Sequence, residues 1–211
     1  MGSRLNYLRQ HASAHRHTSV LAALVVVAFV RPFLGTHEGS LGLTDVILFL
    51  LLLASALSAK VKKRLFLPVV IAALATLTSL AVRITTESQE AGFALIISYI
   101  IFLSLVAWCL VVSLLAPQKR VTLDMVSGAL AVYLILGLIW ALAFLGVETA
   151  EPGTFIFATG EPGTEVAFWR FMGFSFATLT TLGYGNVAPA TARGDAIAGL
   201  EAVVGQLYMA I

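Results

Sequence analysis

The chain has 211 residues, of which 59% are hydrophobic and 11% charged, and its mean hydropathy is +0.96. This composition is far more apolar than that of a soluble domain and predicts a membrane protein. The net charge of +2 is too small to indicate a nucleic-acid partner, and the single cysteine, Cys109, excludes an intramolecular disulfide. Because no paired carboxylates, metal-ligand spacing or nucleophile elbow occurs, no enzyme is predicted.

Four membrane-spanning helices are predicted in the first half of the chain, after a polar cytoplasmic tail of residues 1–17. Uncharged runs at 65–82 and 91–118 approach the roughly 20 residues that cross the hydrocarbon core as a helix. Shorter runs at 17–30 and 46–59 reach this length only if Arg31 and Asp45 lie at the interface. The pattern predicts a four-span bundle over residues 18–116, with spans near 18–34, 43–59, 65–82 and 91–116. For the tail histidines, His11, His15 and His17, a solvated segment is favoured over a metal site.

Basic residues indicate the orientation of these spans. With the N-terminus in the cytoplasm, nine of the thirteen Lys and Arg residues fall on the inner side, as the positive-inside rule requires. The densest group lies between the second and third spans, at Lys60, Lys62, Lys63 and Arg64. Both termini are therefore expected in the cytoplasm, and the segment that follows the fifth span is expected outside.

The fourth span carries no charge between residues 91 and 118. A voltage sensor needs charged side chains inside the membrane. We therefore predict no voltage sensing of this kind, and roles of the four spans in assembly, lipid binding or other sensing stay open.

From residue 121 onward, the predicted elements are no longer only membrane-spanning helices but include a long loop and a short helix. An outer helix is expected over 122–147, followed by a loop of residues 148–164 that we call the turret. Within the turret, Glu151-Pro152-Gly153-Thr154 recurs as Glu161-Pro162-Gly163-Thr164, and Pro-Gly at the centre of each unit predicts a type II turn. Its acidic side chains either raise the local cation concentration or are simply solvated.

A short helix is predicted over residues 165–180. It is too short to cross the membrane and return, so it should re-enter from the outside and stop midway. The partial negative charge at its C-terminal end favours a cation near the membrane centre.

The segment Thr181-Leu182-Gly183-Tyr184-Gly185 follows this helix and contains the pattern T-x-G-Y-G. Glycine adopts left-handed dihedrals without penalty, so Gly183 and Gly185 suit a backbone whose successive carbonyl oxygens face one side. These residues resemble the selectivity filter of the potassium channel superfamily. The resemblance implies K+ ions held by the carbonyl oxygens of residues 181–185, above all Thr181, Leu182, Gly183 and Tyr184, with the Thr181 hydroxyl as the innermost ligand. It also implies a homotetramer with one pore helix per chain.

Residues around the filter are expected to support it. The resemblance assigns this role to Thr178, whose hydroxyl would bond Tyr184, and to Thr180, Asn186, Phe174 and Phe176. With Phe171, the last two would form a cuff around the Tyr184 ring or merely fill a helix interface. The sequence departs from the family pattern where Asn186 replaces an aspartate, Gly173 its tryptophan partner and Ala177 a glutamate, which leaves the stabilisation of the outer end open.

An inner helix is predicted over residues 191–211, and its end at Ile211 within an apolar run favours a truncated helix with a cytoplasmic regulatory region beyond it. Gly205 matches a gating hinge of the family or allows close helix packing. Glu201, an ionisable group at membrane depth, either braces the pore helix or faces the cavity.

The sequence thus predicts a K+-selective channel that conducts passively as a homotetramer in the plasma or inner membrane, in contact with lipids. The alternative within this class is a weakly selective monovalent cation channel, because of Asn186. A potassium transporter is disfavoured because such chains carry several filter-like segments, and a membrane scaffold because the motif lies between two spans on the expected side.

Overall fold

The computed structural model describes residues 16–26, 29, 63–86, 88–115, 121–158, 160 and 164–210. The predicted second span at 43–59, the tail residues His11 and His15, and the basic residues Lys60 and Lys62 lie outside the described residues. Within them, the chain forms six helices and two short strands in the following order: α1 (Arg16–Val25), α2 (Lys63–Thr86), α3 (Gln89–Leu114), α4 (Leu123–Ala150), β1 (Phe155–Phe157), α5 (Thr164–Leu179), β2 (Val187–Pro189) and α6 (Ala192–Ala210).

Three of these helices are long and apolar enough to cross a membrane: α2 from Phe66 to Thr86, α3 and α4. The prediction of a helical membrane protein is confirmed, whereas only the beginning of the first predicted span is described, as α1. Helix α2 begins at Lys63 and not at residue 65, so Pro68 is its sixth residue and removes one of its backbone hydrogen bonds.

The described chain divides into two compact units, one formed by the described residues up to 78 and between 102 and 135, and the other by those between 79 and 101 and from 136 onward. In the first unit, Asp124 at the start of α4 caps helix α1. Its Oδ1 atom accepts from the backbone amides of His17 at 2.9 Å and Thr18 at 3.2 Å. An acidic side chain at a helix N-terminus satisfies free amides and complements the helix dipole, so this contact fixes the start of α1.

The second unit contains all the elements predicted around the filter: most of α4, the turret, α5, the segment 181–185 and α6. Its helices have the expected order with slightly shifted ends, since α4 extends to Ala150 and α5 begins at Thr164. The strands are an addition to the predicted all-helical architecture. They pair antiparallel, with Ile156 opposite Ala188, and thus join the turret to the chain that follows the filter segment.

Candidate functional site

Helix α5 ends in a Schellman motif that leads directly into the filter segment, residues 181–185. The amide of Thr181 donates to the carbonyl of Thr178 at 3.1 Å, and the amide of Leu182 donates to the carbonyl of Ala177 at 2.7 Å. This pair of bonds requires a left-handed residue just after the helix, which is usually glycine. Here that residue is Thr181, with a φ of +58°.

Left-handed dihedrals recur along the filter segment at every second residue. Gly183 has a φ of +62° and Gly185 a φ of +71°, as the sequence predicted for the two glycines. Among the non-glycine residues that the structure describes, only Thr181 has a positive φ. A β-branched residue in this region costs on the order of 1–2 kcal/mol, and such strain concentrates at functional sites. The strain at Thr181 was not predicted, because its cause is the helix ending and not the residue type.

The filter segment is exposed along its whole length within a single chain. The side chain of Tyr184 is 72% exposed and that of Leu182 is 58% exposed. A hydrophobic side chain and a large aromatic one are therefore left without cover by their own chain.

The segment's outer end is bonded to the turret. Beyond the β1–β2 pairs, the amide of Ala158 donates to the carbonyl of Asn186 at 3.0 Å, and the amide of Ala190 donates to the carbonyl of Thr154 at 2.8 Å. Because hydrogen-bonded and non-bonded pairs alternate in an antiparallel ladder, Ile156 and Ala188 form the bonded pair between them. Pro189, which has no amide hydrogen, falls at a non-bonded position opposite Phe155. We call the pairing of residues 154–158 with residues 186–190 the turret clamp.

Aromatic side chains hold the turret clamp against the helices. Phe144 of α4 and Phe155 of β1 have ring centroids 5.4 Å apart, Phe155 and Phe171 5.1 Å, and Phe144 and Phe174 5.0 Å. Phe144, Phe155 and Phe171 are essentially inaccessible to solvent. Phe171 and Phe174 therefore fill the interface between α4, α5 and β1, and they do not enclose the ring of Tyr184 within this chain.

Charged side chains fix the first turn of the turret. The turn of residues 151–154 has the predicted type II character, with Gly153 at a φ of +87° and the amide of Thr154 donating to the carbonyl of Glu151. The two carboxylate oxygens of Glu148 accept from the amides of Gly153 at 2.7 Å and Phe155 at 2.9 Å. Glu151 also pairs with Arg193 at the start of α6. The repeated turn, at residues 161–164, lies largely outside the described residues.

Two threonines assigned to filter support bond within their own helix end. The Thr178 hydroxyl donates to the carbonyl of Phe174 at 2.9 Å, and the Thr180 hydroxyl to that of Phe176 at 2.6 Å. Such bonds to the preceding turn are common for threonine in helices. In this chain, then, the Thr178 hydroxyl donates its hydrogen to Phe174 and not to Tyr184.

Ser175 of α5 contacts both neighbouring helices, α4 and α6. The Ser175 hydroxyl lies 2.9 Å from the carbonyl oxygen of Gly137 on α4, and it also forms a hydrogen bond with Oε1 of Glu201 on α6. A Cβ atom on Gly137 would overlap the ring of Phe176, so only glycine allows this approach. Sequence analysis missed Gly137 and Ser175, because neither belongs to a motif.

Gly205 marks a second close contact between α5 and α6. A Cβ atom at this position would lie 3.1 Å from Cα and 3.2 Å from the carbonyl oxygen of Leu179. Both are backbone atoms, which cannot turn aside as a side-chain tip can. The geometry therefore accounts for this glycine through close packing, one of the two roles that the sequence left open.

Residues 128–211 match the family described as "Ion channel". This part of the chain is therefore similar to ion channel domains. Comparisons with curated proteins and with solved structures gave no match. The matched residues include the filter segment, the turret clamp and the contacts of Ser175, so the geometry described above lies within the part of the chain that resembles ion channels.

Proposed function

We propose that the protein is a potassium-selective channel that conducts K+ passively through a pore formed by four copies of the chain. The observation that carries this proposal is the alternation of positive φ at Thr181, Gly183 and Gly185 within an ion channel domain. Alternating left- and right-handed residues turn successive carbonyl groups toward one side of the chain. Such oxygens replace the hydration shell of a dehydrated ion.

The proposed ion path follows the filter segment. The carbonyl oxygens of Thr181, Leu182, Gly183 and Tyr184 would form successive rings of ligands for K+, and the Thr181 hydroxyl would complete the innermost ring. The partial negative charge at the C-terminal end of α5 would stabilise an ion below the filter. No catalytic activity is proposed.

What a single chain leaves exposed supports the proposed homotetramer. One filter segment can contact an ion from one side only, so a closed ring of copies is needed to surround it. Neighbouring copies would cover the apolar side chains that one chain leaves exposed, namely those of Leu182 and Tyr184 in the filter segment and of Val203 and Leu207 in α6. The number four is what the resemblance of residues 181–185 to the potassium channel superfamily implies.

The remaining surface is proposed to lie in the plasma or inner membrane, with both termini in the cytoplasm. The apolar helices α2, α3 and α4 support contact with lipids, since each is long enough to cross the bilayer. The excess of basic residues on one side of the predicted spans supports the orientation.

The proposal is tested by reconstituting the purified chain in liposomes. Native mass spectrometry would give the number of copies, and bi-ionic reversal potentials in K+ and Na+ would give the permeability ratio. We expect four copies and a ratio well above about tenfold, because each tenfold preference corresponds to only about 1.4 kcal/mol of differential binding. Monomers without conductance would refute the proposal.

A weakly selective monovalent cation channel is the second candidate. Asn186 carries no charge where the family pattern has an aspartate, and Gly173 provides no side chain to bond it. If the turret clamp did not compensate for this lost contact, the outer ring of ligands would adapt to Na+ as well. Reversal potentials close to zero with K+ on one side and Na+ on the other would favour this candidate.

A further inference from the structure

We propose that Glu201 acts as a neutral hydrogen-bond donor that anchors the pore helix α5, and that it does not act as a charged group facing the ion path. This inference rests on the proposed function and names a positioning residue for it. It is based on one buried contact between α4, α5 and α6, where fewer hydroxyl hydrogens are available than hydrogen bonds are formed.

The Ser175 hydroxyl has two close oxygen neighbours and a single hydrogen. One neighbour, the carbonyl oxygen of Gly137 at 2.9 Å, can only accept. If the hydroxyl hydrogen is used there, the second hydrogen bond, with Oε1 of Glu201, needs a hydrogen from Glu201 itself. The chain of donation then runs from Glu201 through Ser175 to Gly137, and it requires a protonated carboxyl group.

The opposite arrangement is unfavourable at two places. If Ser175 donated to a carboxylate, its oxygen would face the Gly137 carbonyl with no hydrogen between them. The other carboxylate oxygen, Oε2 of Glu201, is buried and has no hydrogen-bond partner, and the whole residue is inaccessible to solvent. A buried negative charge without a partner costs several kcal/mol, whereas a neutral acid avoids most of this cost.

No charged group in the described parts of the three helices offsets a negative charge on Glu201. Arg170 lies in the first half of α5, and Arg193 and Asp195 lie in the first turn of α6, where Arg193 is already paired with Glu151. On α4, the acidic residues Asp124 and Glu148 lie near the two ends of the helix. Among the described residues, the hydrogen-bond partner of Glu201 is therefore the Ser175 hydroxyl.

This position gives Glu201 a mechanical role. Ser175 lies one turn before the end of α5, and that end sets the left-handed conformation of Thr181 through the Schellman motif. Fixing Ser175 to both α4 and α6 therefore fixes the start of the filter segment. Loss of the donor would free this side of α5 and disturb the first ring of ligands.

The test compares two substitutions at one position in the reconstituted channel. Glu201→Gln keeps a donor of similar size without a charge, and we expect its K+ current and K+/Na+ permeability ratio to stay within about twofold of wild type. Glu201→Leu removes the donor and leaves Ser175 with an unmet acceptor, so we expect a loss of about tenfold in current. Gln206→Leu, at an exposed position on the same helix, is the control and should have little effect.

A spectroscopic measurement tests the inference independently of conduction. Infrared difference spectra of wild type against Glu201→Gln should contain the C=O stretch of a protonated carboxylic acid at neutral pH. If the wild-type protein has this band but does not conduct, the proposed function fails and the inference stands. If the wild-type protein conducts and the band is missing, or if Glu201→Gln behaves like Glu201→Leu, the inference is wrong.

Discussion

The backbone amide of Ala158 donates to the carbonyl oxygen of Asn186, 3.0 Å away, and so joins the turret to the residue that immediately follows the filter segment. In the family pattern, an aspartate at this position bonds a tryptophan of the pore helix, and both side chains are missing here. The backbone bond between Ala158 and Asn186 is thus formed at a position where the side-chain contact of the family pattern is missing.

Removing one amide from the turret clamp should destabilise the outer end of the filter. Ile156 is the residue of β1 that pairs with Ala188, and its side chain is exposed. Ile156→Pro removes the amide hydrogen that bonds the carbonyl of Ala188, and the loss of one backbone hydrogen bond costs about 0.5–1.5 kcal/mol. We expect faster loss of current during sustained conduction and a lower K+/Na+ permeability ratio. Ile156→Thr keeps the amide and should behave as wild type, and equal effects of both variants would contradict the role of the clamp.

A side chain at Gly183 should abolish conduction. At its φ of +62°, alanine is strained by roughly 1–2 kcal/mol, and relief of this strain would turn a carbonyl group away from the ion path. Gly173→Ala is a suitable control, because Gly173 lies within helix α5 and a Cβ atom there meets nothing within 4 Å of its own chain. We expect current from Gly173→Ala and none from Gly183→Ala, with tetramers in both cases. A conducting Gly183→Ala variant would refute the proposed ion path.

Substitutions at Thr181 should separate backbone strain from ligand loss. Thr181→Gly relieves the strain at the end of α5 and should raise the free energy of unfolding by up to about 1 kcal/mol. The same substitution removes the hydroxyl ligand and should therefore weaken K+ binding. Thr181→Ser keeps the hydroxyl without the methyl group and should conduct. Calorimetric titration of K+ and a thermal unfolding scan measure the two effects. Tighter K+ binding by Thr181→Gly would show that the hydroxyl is not a ligand.

Gly205 offers a test that distinguishes close packing from a hinge. Gly205→Ala brings a methyl group against the backbone of Leu179 and should reduce both stability and current, at a cost of about 1–3 kcal/mol. Gly199→Ala on the same helix meets no atom within 4 Å of its own chain and should be tolerated. Because a Cβ atom at position 205 would also lie 2.8 Å from Cδ2 of the Leu179 side chain, Leu179→Ala should restore part of the function of Gly205→Ala. No restoration, with normal stability of the single variant, would favour the hinge.

Conduction should not depend steeply on membrane voltage. Helix α3 carries no charged side chain after Glu90 in its first turn, so the field has no charge to move in this span. We expect the conductance of the reconstituted channel to vary smoothly with voltage, with a gating charge below about one elementary charge. Recordings over a wide voltage range check this, with the non-conducting Gly183→Ala variant as the background. A steep sigmoidal curve would contradict the prediction.

Composition and short patterns determined the class of the protein and the place of its site. Long uncharged runs can be stable only in a membrane and as helices, so α2, α3 and α4 were predictable from local sequence. The filter segment was equally predictable, because the dihedral freedom of glycine is a property of Gly183 and Gly185 themselves. The type II turn at Pro152 and Gly153 follows from the same local preferences.

Only the tertiary structure decided which groups hold that site in place. The turret clamp joins residues about thirty positions apart, and its strands are too short to be recognised from alternation of side chains. Ser175, Gly137 and Glu201 lie on three different helices, and no local pattern relates a serine, a glycine and an acid over such distances in sequence. Local conformation is fixed by the residues themselves, whereas long-range contacts depend on how the helices approach each other. That approach determines which hydrogen bonds are made between helices and which groups surround Glu201.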